Sequence, residues 1–190
     1  MLGIKSNAAE EFVKAGISVR AVRVNKKGHI EQAMSFPPFK FKQLINEDWE
    51  ASPFRACLET NRFFFVVFRE DHEGVLHLDR CLFWAMPANE IEGPAKACWD
   101  ETKKVIREGV ELKPYRDSAG KLKVANNLPG MADNPIVHVR PHTSKAAYRF
   151  ADGTEVGDIA KNAYELPDGR WMTRQSFWFN KSYLEHILGL

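Results

Sequence analysis

The sequence is short of cysteine, of long apolar runs, of repeats and of net charge, and each shortage excludes a class of protein. Its three cysteines, Cys57, Cys81 and Cys98, are an odd number without CxxC spacing. That excludes a disulfide framework and a zinc ribbon and leaves reduced core thiols as the expectation. No stretch approaches the roughly eighteen consecutive apolar residues of a membrane helix, and Met1-Leu2-Gly3-Ile4-Lys5-Ser6 is not a hydrophobic signal region. A soluble, cytoplasmic chain without a membrane partner is expected. With 190 residues, 44% of them hydrophobic and 27% charged, it has the size and apolar content of one globular domain.

The net charge of +2 is the remainder of a strong internal asymmetry. Residues 13–43 carry +6 and residues 112–150 carry +5, whereas residues 44–111 between them carry −6. Two basic segments flanking an acidic middle would form a polyanion-binding face if the fold brought them together, and ordinary solvated surface if it did not.

Local signals predict a mixed α/β chain. Asn7 with Glu10 approximates a capping box for an opening helix ended by Gly16. A β-branched run from Ile17 to Val24 predicts a strand, turned by Asn25-Lys26-Lys27-Gly28 into a second strand from His29 to Phe36, which Pro37-Pro38 interrupts. Ser52-Pro53 has the capping residue and first-turn proline of a helix, with Trp49 packing nearby. The apolar run within Arg62 to Arg69 predicts a central strand buried on both faces. Asp71-His72-Glu73-Gly74 turns it into a partner from Val75 to Met86, and a helix follows Pro87 and runs to about Glu108. Residues 110–134 read as a long exposed loop, of the kind that often carries function. Beyond it come a short strand, Ile136-Val137-His138-Val139, a polar connection, a strand from Gln175 to Phe179 and a closing helix begun by Asn180. The expected architecture is a mixed central sheet flanked by helices.

The C-terminal segment is the most specific. His138-Val139-Arg140-Pro141-His142, then Leu166-Pro167-Asp168-Gly169, then Thr173-Arg174-Gln175-Ser176-Phe177-Trp178-Phe179-Asn180 and Tyr183-Leu184, resembles the MutH-like family of GATC-specific endonucleases. That family includes a mismatch-repair nickase and two-domain Sau-type type II restriction enzymes. Ala9-Glu10-Glu11-Phe12, the run Ala15 to Val24, Glu31-Gln32-Ala33-Met34-Ser35-Phe36-Pro37 and Phe63 to Phe68 look like the helix, hairpin and central strand of the same family. The resemblance spans nearly the whole chain.

It implies a restriction-endonuclease-like α/β core and a D…E-x-K nuclease motif in which two carboxylates hold Mg²⁺ and a lysine serves the attacking water. At the matching strand this sequence has Ser18-Val19-Arg20, with Glu11 roughly where the upstream Asp would stand. Serine offers a divalent cation no charge and arginine is too basic to replace the lysine. The positions Glu11, Ser18 and Arg20 are read as a degenerate site, with no metal or cofactor for this domain and Mg²⁺ only for a parent enzyme. The match begins almost at Met1, which suggests a domain of a longer two-domain protein, most like the C-terminal domain of the Sau-type enzymes.

The resemblance places Arg140-Pro141 on the loop that reads GATC. Arginine's planar fork can bond a guanine edge twice, and Pro141 would stiffen the loop that presents it. His142, Lys145, Arg174, Gln175 and Trp178, with Lys26 and Lys27 on the hairpin tip, complete the candidate DNA contacts. Trp178 alternates with Phe177 and Phe179 and can face away from them.

The leading expectation is therefore a noncatalytic effector domain that binds double-stranded DNA, with the parent's catalytic domain as a partner and a homodimer on DNA as a further possibility. An active nuclease in which Glu11 joins Glu31 or another carboxylate around Mg²⁺, and an oligomerisation module that hardly touches DNA, are the alternatives.

Overall fold

A computed structural model describes residue 12, residues 14–31 and residues 33–190. The predicted opening helix falls mostly outside these residues, as do Glu10 and Glu11. The chain has a mixed α/β architecture of several sheets flanked by helices, consistent with a restriction-endonuclease-like fold.

The first sheet has the order β1-β3-β4, with β1 (Ile17–Val24) parallel to β3 (Arg62–Glu70) and β4 (Leu76–Trp84) antiparallel to it. β3 is central, as its apolar run predicts. It is not buried on both faces, however. Phe63, Phe65 and Val67 are buried, while Phe64, Val66 and Phe68 are half-buried; Phe64 meets the rings of Phe12 and of Phe83 on β4, whose Leu78 and Phe83 are 61% and 63% exposed. Cys81 lies exposed on the same strand, and Cys57 is half-buried. Only Cys98 is a fully buried thiol, its pKa pushed up to about 12 by burial.

The second sheet, of β2 (Ser35–Phe39), β12 (Gln175–Phe179) and β7 (Val137–Pro141) in that order, is antiparallel. Its edge strand β2 (Ser35–Phe39) runs through both prolines that were expected to interrupt it. Adjacent N–H groups of a strand point to opposite sides, so the free edge accommodates one of the two prolines, and the irregular register opposite Ser176 to Trp178 accommodates the other. The predicted hairpin from Val24 survives only as a single bridge to Ile30 before the chain crosses to this second sheet.

Aromatic rings join the two sheets. Phe179 of β12 (Gln175–Phe179) packs on Phe36, Phe63, Trp84 and Tyr183, and Phe177 stacks on Phe54 with ring centres 4.2 Å apart. Phe54 belongs to a helix, Pro53–Thr60, whose N-cap Ser52 accepts from the Arg55 N–H at 3.0 Å, a contact worth about 1 kcal/mol. On the other side a helical run passes from Ala88–Glu90 through a π-helical segment, Ile91–Ala95, into Lys96–Glu108. The π segment contains Pro94, which lacks the N–H an α-helix would use.

Two stretches expected to be irregular hold short strands. Residues 110–134 contain the hairpin β5 (Lys113–Arg116) and β6 (Leu122–Ala125), whose turn is built by Asp117 Oδ1 accepting from the N–H groups of Ala119 and Lys121. The polar connection after Pro141 holds a four-stranded antiparallel sheet, β10-β11-β8-β9, made of β8 (Tyr148–Arg149), β9 (Glu155–Val156), β10 (Ala163–Glu165) and β11 (Trp171–Thr173). The last helix, Lys181–Leu188, begins after Asn180 as predicted, yet the Asn180 side chain does not cap it.

Candidate nucleic-acid interface

β7 (Val137–Pro141) pairs with β12 so that Arg140 lies opposite Ser176 and His138 opposite Trp178. The two-residue period puts Phe177 and Phe179 into the core and Trp178 on the other face, half-buried, as the alternation predicts. Arg140 and Trp178 are diagonal neighbours across the ladder, and the guanidinium lies over the indole at 4.7 Å from its centre. The Trp178 Nε1–H donates to the Arg140 carbonyl at 3.2 Å, so ring and strand are tied together.

Arg140 is exposed and makes no ion pair among the described residues, whereas Arg23, Arg55, Arg149 and Arg170 each meet a carboxylate. A charged fork held over a ring and left without an ion pair is an open donor surface. His142 adjoins it: its N–H donates to the Arg174 carbonyl at 2.9 Å, and its Nδ1 lies 2.8 Å from the buried Ser176 hydroxyl.

On this same face, directly opposite Trp178, His138 is only 3% exposed, with Nδ1 2.6 Å from Asn180 Oδ1. Asn180 Nδ2 donates to the Asn134 carbonyl at 2.7 Å, which directs Oδ1 to the imidazole and assigns the His138 proton to Nδ1. Burial lowers the His138 pKa, the Asn180 bond opposes the shift, and the nearby Arg140 charge adds to it.

The remaining predicted contacts separate. Gln175 is 1% exposed and donates to the Thr173 carbonyl, so it is an interior residue and not a base reader in this conformation. Arg174 turns toward the opposite side, its guanidinium 4.7 Å from the Tyr164 ring centre. Lys26 donates to the His72 carbonyl at the β3–β4 turn, and Lys27 shares that hairpin tip. The tip is tied to the last helix by the Ile30 N–H donating to Glu185, so these two lysines belong to a neighbourhood other than that of Arg140. Lys145 stands beyond Pro141 in a cleft it shares with Lys121, Lys123 and Tyr115, residues the sequence reading did not select. The available signal was the alternation Lys121-Leu122-Lys123-Val124 inside a basic segment.

Ser18 and Arg20 stand on the edge strand β1. Arg20 is exposed beside a cavity of about 310 Å³ lined by Ala33, Met34, Ser35, Phe65 and Leu184, and no carboxylate lines it among the described residues. Glu31 instead pairs with Arg23 at 3.6 Å. No cluster of three or more His, Cys, Asp or Glu side chains suited to a metal ion occurs among the described residues. The residues described at this strand do not fit a magnesium site. No helix among the described residues is long and apolar enough to cross a membrane.

No protein-family model matches the chain. Over an alignment of 189 positions that covers 93% of the chain, it is 39% identical to the type II restriction enzyme Sau3AI of Staphylococcus aureus. In sequence this is a Sau3AI-like chain. With 93% of the chain aligned, the similarity spans the sheet of β1, β3 and β4 and the Arg140 strand alike. The chain spans 39% of the length of that restriction enzyme.

Proposed function

We propose that this Sau3AI-like chain is a noncatalytic, sequence-specific DNA-binding domain of a type II restriction enzyme, with GATC as its site and Arg140 as the residue that reads a guanine edge. The observation that carries the reading is the exposed Arg140 guanidinium, without an ion pair among the described residues, held over the Trp178 ring at the end of the β7–β12 strand pair. The similarity to a restriction enzyme supports DNA as the partner. The chemistry of Ser18 and Arg20, an uncharged hydroxyl and a cation on β1, supports an effector role in which Mg²⁺ belongs to the rest of the enzyme.

The test is a fluorescence-anisotropy titration onto matched duplexes carrying GATC or a scrambled site, at two salt concentrations without metal, beside plasmid incubated with the chain and Mg²⁺ or Mn²⁺. Preferential, salt-sensitive binding to GATC with intact plasmid is expected. Nicked or linear plasmid would replace this reading with an active nuclease. The exposed Leu76, Leu78 and Phe83 of β4 favour a second role for the same domain, packing on another domain of the enzyme or on a second copy. A dimer that shifts no duplex would make that role the whole function.

A further inference from the structure

Resting on the DNA-binding reading above, we propose a second DNA-contacting site, in which the cleft between the β5–β6 hairpin and residues 141–146 grips the sugar-phosphate backbone outside the bases read by Arg140. The cleft has a volume of about 560 Å³. Lys121 and Lys123 line one wall, Lys145 the other, and no carboxylate among the described residues lines it. None of the three lysines makes an ion pair among the described residues, although Lys42, Lys96, Lys104 and Lys113 all do. Three like charges around one concavity raise its positive potential and complement a polyanion.

The walls suit a nucleic-acid strand. Tyr115, 52% exposed, offers a ring face to a sugar or base, and Ser144 supplies a hydroxyl. Pro141 lines the cleft and directly follows Arg140, so one strand of a duplex lying on Arg140 continues into the lysines without leaving the surface. The two walls differ in how they are held. Residues 146 and 147 are fixed from below: a Cβ at Gly157 would meet the Ala146 carbonyl oxygen at 2.1 Å, and Ala147 exchanges backbone bonds with the Thr173 hydroxyl. Among the described residues the hairpin forms ladder bonds only with itself; it is held to the body by Val124, which packs on the core, and at its base, where the Glu111 N–H donates to Asn127. A basic arm facing a rigid basic wall is the arrangement of a backbone clamp.

The experiment compares the wild-type chain, a triple Lys121→Ala, Lys123→Ala, Lys145→Ala variant and Arg140→Ala on GATC and scrambled duplexes across a salt series. Each lost phosphate contact removes about 0.9 from the slope of log affinity against log salt, so the triple variant should lose roughly two to three. Its affinity should fall equally on both duplexes, leaving the GATC preference intact. Arg140→Ala should lose the preference with a slope change of about one or less. A triple Lys→Gln variant that keeps the side-chain bulk should reproduce the slope change, which separates charge from folding. A triple variant with wild-type slope and affinity overturns the clamp and leaves the Arg140 reading standing. Weakened binding in the triple variant beside an unchanged preference in Arg140→Ala overturns the base readout and supports the clamp. A wild-type chain that binds neither duplex overturns both.

Discussion

Replacing Arg140 by lysine keeps the charge and removes the fork, so it separates base readout from electrostatics. Arg140 is exposed and has no ion pair among the described residues, so the variant should change folding stability by no more than about 0.5 kcal/mol, or roughly 1–2 °C in Tm. A bidentate arginine–guanine contact contributes about 1–3 kcal/mol of discrimination, so the GATC preference should fall by a factor of about 5 to 150 while the salt slope stays put. Trp178 holds the guanidinium at 4.7 Å and bonds the Arg140 carbonyl through Nε1, and an exposed cation–π contact is worth about 0.5–1 kcal/mol. Trp178→Leu should therefore lower the preference about two- to fivefold. Its effect should largely vanish in an Arg140→Lys background, because lysine does not stack as a plane. The assay is anisotropy on paired duplexes at fixed salt, with Tm as the folding control. Full discrimination by Arg140→Lys, or strictly additive losses in the double variant, would refute the argument that a platform-held fork reads the site.

Two further outcomes follow from the packing. Gly157→Ala places an L residue at φ +73° with its Cβ 2.1 Å from a carbonyl oxygen, whereas Gly153→Ala, at φ +84°, meets open space. Both should pay about 1–2 kcal/mol for the left-handed backbone, roughly 2–8 °C in Tm, and only Gly157→Ala should fall further by displacing residues 146 and 147; equal Tm losses would count against that close approach. His138 is held neutral by burial, with a folded pKa below its unfolded value near 6.5, so the stability it contributes is complete above about pH 6.5 and is lost as pH falls toward the folded pKa. Thermal melts between pH 5 and 8 should show this loss in the wild type and a flatter profile in His138→Gln; parallel profiles would exclude His138 as the titrating group.

Elements with a strong local signal were legible in the sequence. Ser52-Pro53 announces its helix because the cap and the preset φ act within four residues. The apolar run of β3 and the Asp71-Gly74 turn announce a strand and a hairpin. What escaped depends on partners distant in sequence. Pro37-Pro38 looks like a break until β12 pairs with one side of β2 and the other side is left as an edge. The hairpin β5–β6 and the strands β8 to β11 are two to four residues long, too short to show a period, and their charged side chains point to water. Cys81 and Phe83 look like core residues in composition, yet only the register of β4 on β3 shows that they share the open face.

The candidate site carries a sharper lesson, since part of it could be deduced before any contact was known. Gln175 and Trp178 are three positions apart in one strand, and a strand presents alternate residues to opposite faces. They cannot both reach the same duplex while that strand is regular. Trp178 alternates with two phenylalanines that the core requires, so Trp178 takes the open face and Gln175 goes inward with Phe177, where it is found. The same parity brings Ser176 to the Trp178 face, and the antiparallel register then delivers Arg140 opposite Ser176 and diagonal to Trp178. Only the register itself was hidden, because it depends on where β7 ends, and β7 ends at Pro141. Moving the Arg-Pro pair by one residue along β7 would point the arginine at the core, so the reading of DNA by this chain depends on the strand phase as much as on the arginine.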